Sequence, residues 1–432
     1  MNPREFAVQV VQQLQTAGFQ ALWAGGCVRD QLLKIEPLDY DVATNATPDQ
    51  IRQVFGKQRT LPIGAAFGVI TVLGPKSAGQ IEVATFRTDA SYSDGRHPDS
   101  VEFSNAEEDA QRRDFTINGL FFDPVAEQVI DYVDGQQDLK LGVIRAIGDP
   151  DQRIAEDKLR MLRAVRFATR FGFEIESATF ESVRQSAAGI HLVSAERIGA
   201  ELRKMLALPG RALALELLVS SGLLKLVIDQ SLVAELSSRS IDEVATLQLP
   251  VISNLPADSD HCAAMAVLLD GLVGHLESKA DRNQRKLLQE ICRRLKWSNE
   301  EIDKTTWLVN HYHILLDADV RPWSQVQPVL AHSFGQVAID LANAKLLADR
   351  ATETVDTSAA SFPSINYCLE RIAWPSEKLN PPLLVTGSDL IKAGFQPGPQ
   401  FKSVLQEILD RQLDGELEST EDALEFARKT TQ

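Results

Sequence analysis

Cysteine is scarce in this chain: Cys27, Cys262, Cys292 and Cys368 are its only four, and no two of them form a CxxC pair. That distribution argues against a zinc site or a disulfide framework and fits a reducing cytoplasm. The seven histidines are scattered. Their tightest pair, His311 and His313, lies in an apolar helical context without a cysteine or carboxylate cluster, and reads as structural. Long apolar runs are missing too. The most apolar stretch, RALALELLVSSGLLKLVI at 211–228, is broken by Arg211, Glu216, two serines and Lys225, and reads as buried helices, not a membrane span. The N-terminal MNPREFAVQVVQQL has no basic start before an apolar core, so no export signal is visible. Basic residues are outnumbered, 44 against 60 acidic, for a net charge of −16. A surface that binds polyanions everywhere is thereby excluded, but a local basic groove is not.

What is present predicts a folded, multidomain chain. At 432 residues it exceeds one compact core and suggests two to four domains, and 44% hydrophobic residues argues against wholesale disorder. Residues 4–18 carry Phe6, Val10, Val11 and Leu14 at helical spacing and stop at Gly18. Next come a short strand in ALWAGG, a helix from Val28 to Leu33, and strands in LDYDVAT, FGVITVLG and QIEVATFRT. Between the first two of these strands, TPDQIRQVF reads as a helix capped by Thr47 and opened by Pro48. RRDFTINGLFFDP reads as a helix with an apolar face, and VIDYVDGQQDLKLGVIRAIG as a hairpin that closes the region near Gly148. From 151 to about 350 strand signals almost vanish, with helix breaks expected at Pro209-Gly210, Gly222, Pro250 and Pro256. The section 380–417 reads as a turn followed by two short helices. There is no fixed-period repeat and no low-complexity tract.

The chemistry begins in LDYDVAT. Strand alternation places Asp39 and Asp41 on one face and Tyr40 on the other. Two adjacent carboxylates resist joint ionisation unless a cation lies between them, and Mg²⁺ suits such a pair because it takes one or two carboxylates plus substrate phosphates. A bare DxD is more often a solvated strand edge; the preceding turn changes that reading. Gly25 and Gly26 let backbone N–H groups approach a polyanion at a helix N-terminus, and Arg29, followed by Asp30, can hold a phosphate by its fork. Glu82, on the polar face of IEVATFR, supplies a third carboxylate, and acids on neighbouring strands can hold two metals roughly 3.5–4 Å apart.

Downstream, RRDFTING offers Arg112, Arg113, Asp114 and Asn118, donors and acceptors suited to a ribose and its phosphates; the plain alternative is a helix N-terminus capped by Asp114. In EDKLRMLRAVRFA, Asp157 and Arg160 lie three apart and share a helix face. A carboxylate there accepts from an exocyclic amine while the guanidinium donates to the adjacent ring nitrogen or carbonyl. Cytosine and adenine satisfy that pair. Uracil and guanine present a carbonyl where the amine is needed, and an unpaired buried polar group costs on the order of 1–3 kcal/mol. Arg163 lies one turn further along the same face. Further on, RNQRKLLQEICRRLKW gathers Arg282, Arg285, Lys286, Arg293, Arg294 and Lys296, either an RNA-binding face or a solvated charged helix. The GFQPGPQFK turn near Lys402 is a weaker candidate.

In this order, GGCVRDQLL, LDYDVAT, RRDFTING, EDKLRMLRAVRFA and SAERIGAEL resemble the class II tRNA nucleotidyltransferase (CCA-adding enzyme) and bacterial poly(A) polymerase family. The C-terminal LLVTGSDLIKAGFQPGPQFKSVLQEILDRQLDGEL resembles the tail of many bacterial CCA-adding enzymes. The resemblance implies an α+β, polymerase-beta-like nucleotidyltransferase head at 1–148. It implies all-α parts behind it: a nucleobase-reading neck at 149–208, an RNA-binding body at 209–350 and a tail at 351–432. It also implies Mg²⁺ as cofactor, CTP and ATP as substrates and the tRNA 3′ end as partner, with no membrane and an open oligomeric state. Ribose discrimination falls on the positions Arg112 to Asp114, and support of the nucleobase-reading site on Arg163. The segment 88–100, with Tyr92, Asp94, Arg96 and Pro98, corresponds to the family's flexible loop, implicated in switching from C to A addition; His97 reads as loop surface.

The chain departs from the family pattern at Lys34 and Gly119, neither of which carries chemistry. Ala65 and Ala66 stand where bacterial poly(A) polymerases tend to carry basic residues, which favours tRNA end repair. Cys262 after His261 breaks an HD phosphohydrolase motif, so no such activity is expected. The reading is therefore a template-independent nucleotidyltransferase that adds CMP and AMP to the tRNA 3′ end. The alternatives are a CC-adding or A-adding specialist, a poly(A) polymerase, an RNA-binding protein with an inactive head, and an enzyme modifying a small molecule.

Overall fold

The computed structural model of the protein describes residues 1–89, 101–273, 282–352, 362–396, 398 and 400–430. Most of the loop read at 88–100, including Tyr92, Asp94, Arg96, His97 and Pro98, lies outside the described residues. The chain divides into two compact units: residues 1–205 with 217–227, and residues 206–216 with 228–432.

In the first unit, α1 (Pro3–Thr16) begins at a capping box of Asn2 and Glu5, and its apolar stripe, Phe6, Ala7, Val10, Val11 and Leu14, is buried. There follow β1 (Ala21–Ala24), α2 (Gly26–Leu32), β2 (Asp41–Thr44), α3 (Pro48–Phe55), β3 (Thr60–Leu61), β4 (Val69–Leu73), β5 (Gln80–Thr85), β6 (Arg87–Asp89) and β7 (Val101–Phe103). Then come α4 (Ala106–Gln111), β8 (Phe121–Asp123), β9 (Gln128–Ile130), α5 (Gly135–Leu141) and β10 (Val143–Ile144). Thr47 caps α3 in a capping box with Gln50 and Pro48 opens it, as its sequence predicts. Seven strands form one sheet in the order β3-β4-β5-β2-β1-β8-β9. Only β2 and β5 pair in parallel; the other neighbours are antiparallel. The alternation read in IEVATFR holds in part: Ile81, Val83 and Thr85 are buried and Glu82 is exposed, but Ala84 is half-buried and Phe86, just past the strand end, is fully buried.

The helical part of this unit contains α6 (Pro150–Glu156), α7 (Leu159–Phe171), β11 (Glu174–Ile175), α8 (Ser177–Ser186) and α9 (Ala195–Leu206). Among the described residues of the second unit every element is helical, including Ile241–Asn254, His261–Val273, Arg282–Arg294, Asn299–His311 and Gly335–Thr352. Its last helices, Gly387–Lys392, Gln400–Leu413 and Thr420–Thr430, share a separate cluster of Val385, Leu390, Val404, Ile408, Ala423 and Ala427.

Five local expectations are corrected. Asp39 precedes β2 instead of lying within it, because the strand ladder starts at Asp41. RRDFTING is not a helix: Arg112 ends α4, and a short 3-10 turn, Thr116–Asn118, leads into β8. Residues 129–148 are not a hairpin, since α5 intervenes and β10 pairs in parallel with β11, beyond the expected boundary at Gly148. Asp157 and Arg160 do not share one helix, because Asp157 is extended (φ −144°, ψ 105°) and separates α6 from α7. Pro250 lies inside the helix Ile241–Asn254 and does not break it.

Candidate active site

Gly25 links β1 to α2 at φ +69°, a conformation that favours glycine, and a Cβ there would lie 2.6 Å from Arg113 Nη1. The turn therefore brings backbone directly against a guanidinium. On the neighbouring strand, Asp41 pairs in register with Glu82 of β5, and Thr71 of β4 stands across from Glu82. Parallel partners in register point to the same sheet face, so Asp41 and Glu82 are neighbouring carboxylates by construction. Asp39 adds a third charge just before the strand.

The Asp41 carboxyl is pushed up to about 6, first by burial, then by the charges of Asp39 and Glu82, with Arg113 offsetting part of the effect. Among the described residues none of these three carboxylates takes part in a salt bridge. Glu82 could instead be a structural edge-strand acid paired with Arg87 or Lys76, but among the described residues neither pair is formed. Uncompensated acids at a phosphate-sized cleft fit a divalent cation. Yet no three His, Cys, Asp or Glu side chains among the described residues converge as a ready-made cage. The chain thus offers Asp39 and Asp41 as a pair, with further coordination left to substrate oxygens and Glu82 as a charged neighbour.

Asp39 and Asp41, but not Glu82, line a cleft of about 630 Å³ together with Gly25, Gly26, Arg29, Arg87, Arg112, Arg113, Asp114, Asn118, Asp157, Arg160, Arg163, Arg166, Phe167 and Arg170. Eight arginines against four aspartates make it a cationic recess in an acidic protein, suited to a polyanion.

Arg29 is nearly fully buried, and the fork expected to face phosphate is committed within the protein. Nε donates to Asp30 Oδ1 at 2.8 Å, Nη2 lies 2.6 Å from the same oxygen, and Nη1 donates to Asn118 Oδ1 at 2.5 Å. Asp30 is buried and also meets Arg170 Nη2 at 2.9 Å, so it anchors two cleft arginines and does not itself line the cleft.

Asp109, at the end of α4, holds Arg112 at 2.8 Å and Arg113 at 2.9 Å. Burial would raise its carboxyl, but the two guanidiniums outweigh it and hold the acid below its ordinary range. Asp114 accepts from the Phe115 N–H, Asn118 Nδ2 at 2.9 Å and Arg163 Nε at 2.8 Å. Burial again opposes ionisation, and Arg163 with the Asn118 bond overcomes it, leaving Asp114 well below the usual carboxylate range. The RRD segment is therefore an irregular turn whose side chains are locked by ion pairs. Irregular backbone exposes them to the cleft where a helix would have turned half of them away.

At the break before α7, Asp157 Oδ1 accepts from the Leu159 N–H at 3.0 Å and from Arg197 Nη1 at 3.3 Å, and Oδ2 accepts from Arg197 Nη2 at 2.7 Å. Arg160 Nη1 donates to the Arg153 carbonyl and to Glu156 Oε2, both at 2.6 Å, and Nη2 donates to the Arg112 carbonyl at 3.4 Å. Asp157 and Arg160 share the cleft without bonding each other. Each is fixed from behind, which leaves an acceptor on one and Nε with part of Nη2 on the other.

Sequence reasoning overlooked Arg87, Arg166, Phe167 and Arg170 as cleft residues, and Glu156, Arg197 and Glu201 as supports. A signal was available for part of this set: Arg160, Arg163, Arg166 and Arg170 recur at three- and four-residue spacing, a single stripe along α7. The proposed RNA residues lie in the second unit. Arg285, Lys286, Arg293 and Arg294 are all exposed on the helix Arg282–Arg294, but Arg293 pairs with Glu290 at 2.5 Å and Arg294 pairs with Asp229 and Glu290.

A cationic cleft with paired aspartates on a seven-stranded sheet defines a nucleotidyltransferase head. Known proteins bear this out: the family model described as Poly A polymerase head domain matches residues 21–145. The models described as "Probable RNA and SrmB- binding site of polymerase A" and "tRNA nucleotidyltransferase domain 2 putative" match 172–231 and 282–427. The chain is 33% identical over 427 residues to the CCA-adding enzyme of Latilactobacillus sakei, covering 98% of this chain and 97% of that one. With its counterpart in Limosilactobacillus fermentum it shares 33% over 425 residues, 96% and 94% of the two chains. The crystal structure of the Bacillus stearothermophilus CCA-adding enzyme in complex with CTP superposes with a TM-score of 0.73 at 26% identity, covering all of this chain and 98% of the other. The chain belongs to the CCA-adding enzyme family. No described helix is long and apolar enough to cross a membrane.

Proposed function

We propose that the protein adds CMP and AMP, taken from CTP and ATP, to the 3′ end of tRNA without a nucleic-acid template. The observation that carries this reading is one cleft holding both an acidic pair beside a glycine turn and a separately braced Asp157–Arg160 pair. The 3′ hydroxyl of the RNA attacks the α-phosphorus of the bound nucleotide, forming the new P–O bond as the bond to the leaving pyrophosphate breaks. Asp39 and Asp41 would hold Mg²⁺, which would neutralise triphosphate charge and make the attacking hydroxyl more acidic. Gly26 offers its backbone N–H to the phosphates, whereas the Gly25 N–H, expected from sequence to do the same, donates to the Leu120 carbonyl at 2.9 Å. Arg113 and Arg170, held by Asp109 and Asp30, supply positive charge, while Arg29 with Asn118 keeps the turn in place. Arg112, Asp114 and Arg163 flank the ribose.

Base choice rests on what the ion pairs leave unsatisfied. Asp157 retains acceptor capacity on Oδ2, and Arg160 retains Nε and Nη2 donors. Cytosine and adenine each offer an exocyclic amine beside a ring acceptor, so both fit; uracil and guanine would set a carbonyl against the carboxylate. The relatives named CCA-adding enzyme, one of them crystallised with CTP, support this reading. Ala65 and Ala66 continue to favour it over poly(A) synthesis.

We place the RNA on the helical unit, with Arg285 and Lys286 as its stronger contacts, and keep the division into head, neck, body and tail as the working description. Four buried thiols without a disulfide support a cytoplasmic setting. The roles separate experimentally. Asp39→Ala abolishes all incorporation, whereas Asp157→Ala retains incorporation with relaxed base choice. Residual wild-type rates in the first variant, or unchanged selectivity in the second, would refute the respective assignment.

A further inference from the structure

The carboxylate assigned to base reading is not free to turn. Both oxygens of Asp157 are engaged by Arg197, at 3.3 and 2.7 Å, a two-point fork that fixes the plane of the carboxylate as well as its position. The Leu159 N–H takes a further lone pair of Oδ1 at 3.0 Å. Because a carboxylate has about four acceptor sites, these three bonds leave one, on Oδ2. Arg197 lies on α9, and one turn later on the same face Glu201 meets buried Arg166 at 2.5 Å. One face of α9 therefore grips the base-reading segment at two points, once at its acceptor and once further along α7.

We infer that Arg197, which does not line the cleft, is a specificity-determining positioning residue that aims the remaining acceptor of Asp157 at the exocyclic amine of the incoming nucleotide. The inference rests on Asp157 reading the base. Extended backbone at Asp157 gives the side chain no helical turn to pack against, so its direction depends on the two contacts made from outside. Without Arg197 the carboxylate keeps only the Leu159 N–H and can rotate. A rotated carboxylate no longer confronts the carbonyl of uracil or guanine, and the selection against those bases fades. Arg197 has 22% of its side chain exposed, which makes substitution there tolerable to the fold.

The experiment uses the full-length enzyme and a tRNA transcript lacking its CCA end, with kcat and KM measured separately for CTP, ATP, UTP and GTP. Arg197→Gln lowers kcat/KM for CTP and ATP by about 10- to 100-fold, mainly through KM, and lowers the CTP-to-UTP preference by about tenfold. Arg197→Lys, which keeps the charge but contacts one oxygen, recovers part of the preference. In an Asp157→Asn background, Arg197→Gln changes the preference no further, because the two residues act as one unit. If Asp157→Asn lowers the preference and Arg197→Gln does not, the inference is overturned while the base-reading assignment stands. If neither lowers it, both fall. An equal loss for all four nucleotides, with a lowered melting temperature and intact preference, makes Arg197 merely structural and also overturns the inference. Should Arg197→Gln fail to fold, Arg197→Lys is judged by the same ratio, and an unchanged ratio overturns the inference.

Discussion

Replacing Asp41 with asparagine should make the protein more stable at neutral pH while destroying its activity. The Asp41 carboxyl is raised from 3.8 to about 6, chiefly by burial and then by Asp39 and Glu82. One pH unit corresponds to about 1.36 kcal/mol, so a rise of this size sets a ceiling of about 3 kcal/mol on the penalty for keeping the group ionised. The residue opens onto the cleft and solvent screens it, which reduces the expected gain to about 1–1.5 kcal/mol. The sign follows from proton binding. With a folded-state value above the unfolded one, the folded protein holds the extra proton between about pH 4 and 6. Stability therefore falls as pH rises through that window, and the full penalty is present above it. The amide of the Asp41→Asn variant cannot ionise and escapes it.

Scanning calorimetry in EDTA reads this directly. At pH 7.5 Asp41→Asn should melt about 2–6 °C above the parent, with the difference shrinking as pH falls towards 4. Millimolar Mg²⁺ should raise the melting temperature of the parent and leave the variant nearly unmoved, closing the gap from the other side. A variant less stable than the parent at pH 7.5 without divalent ions would show that Asp41 is a stabilising structural acid. An equal response of both proteins to Mg²⁺ would remove the metal from this pair.

Three further outcomes follow from other parts of the structure. Gly25→Ala, at φ +69° and with its new Cβ 2.6 Å from Arg113 Nη1, should displace that guanidinium and reduce kcat/KM for CTP and ATP alike by about 10- to 100-fold, with the circular dichroism spectrum unchanged. Glu201→Gln leaves the buried charge of Arg166 without its 2.5 Å partner and should cost about 3 kcal/mol in urea denaturation; a loss below about 1 kcal/mol would mean water reaches Arg166. Arg285→Ala with Lys286→Ala should weaken tRNA binding and reduce the salt slope by about 1 for each phosphate no longer neutralised, whereas Arg293→Ala and Arg294→Ala, already ion-paired, should change it less; filter binding across a salt series separates the two pairs.

That several motifs belong together was legible in sequence because they occur in combination; each alone has plainer uses. GGCVRD, LDYDVAT and EDKLR sit far apart in the chain, yet all three reach one cleft. What sequence did not reveal was what those side chains are bonded to. Arg29 looked like a phosphate fork, and only tertiary structure shows the fork spent on Asp30 and Asn118. The helical reading of RRDFTING followed its apolar spacing, but Asp114 binds its own local backbone and Asn118, which favours a turn over a helix. Asp157 likewise leaves the helix, with its side chain accepting from the Leu159 N–H two residues on. Arg197 was present in SAERIGAEL throughout; its partner stands forty residues away, and no local pattern links them.

The central claim, stepwise addition of C, C and A by one protein-built reader, is tested most directly with three tRNA transcripts ending at the discriminator base, at C and at CC. Each is incubated with CTP, ATP or both, and the products are resolved to single nucleotides. The account predicts that the first two receive the missing C residues from CTP, that the third receives a single A, and that both nucleotides together complete CCA and stop. An enzyme that halts after CC, extends only the CC-ended transcript, or adds long A tails to unstructured RNA would contradict it.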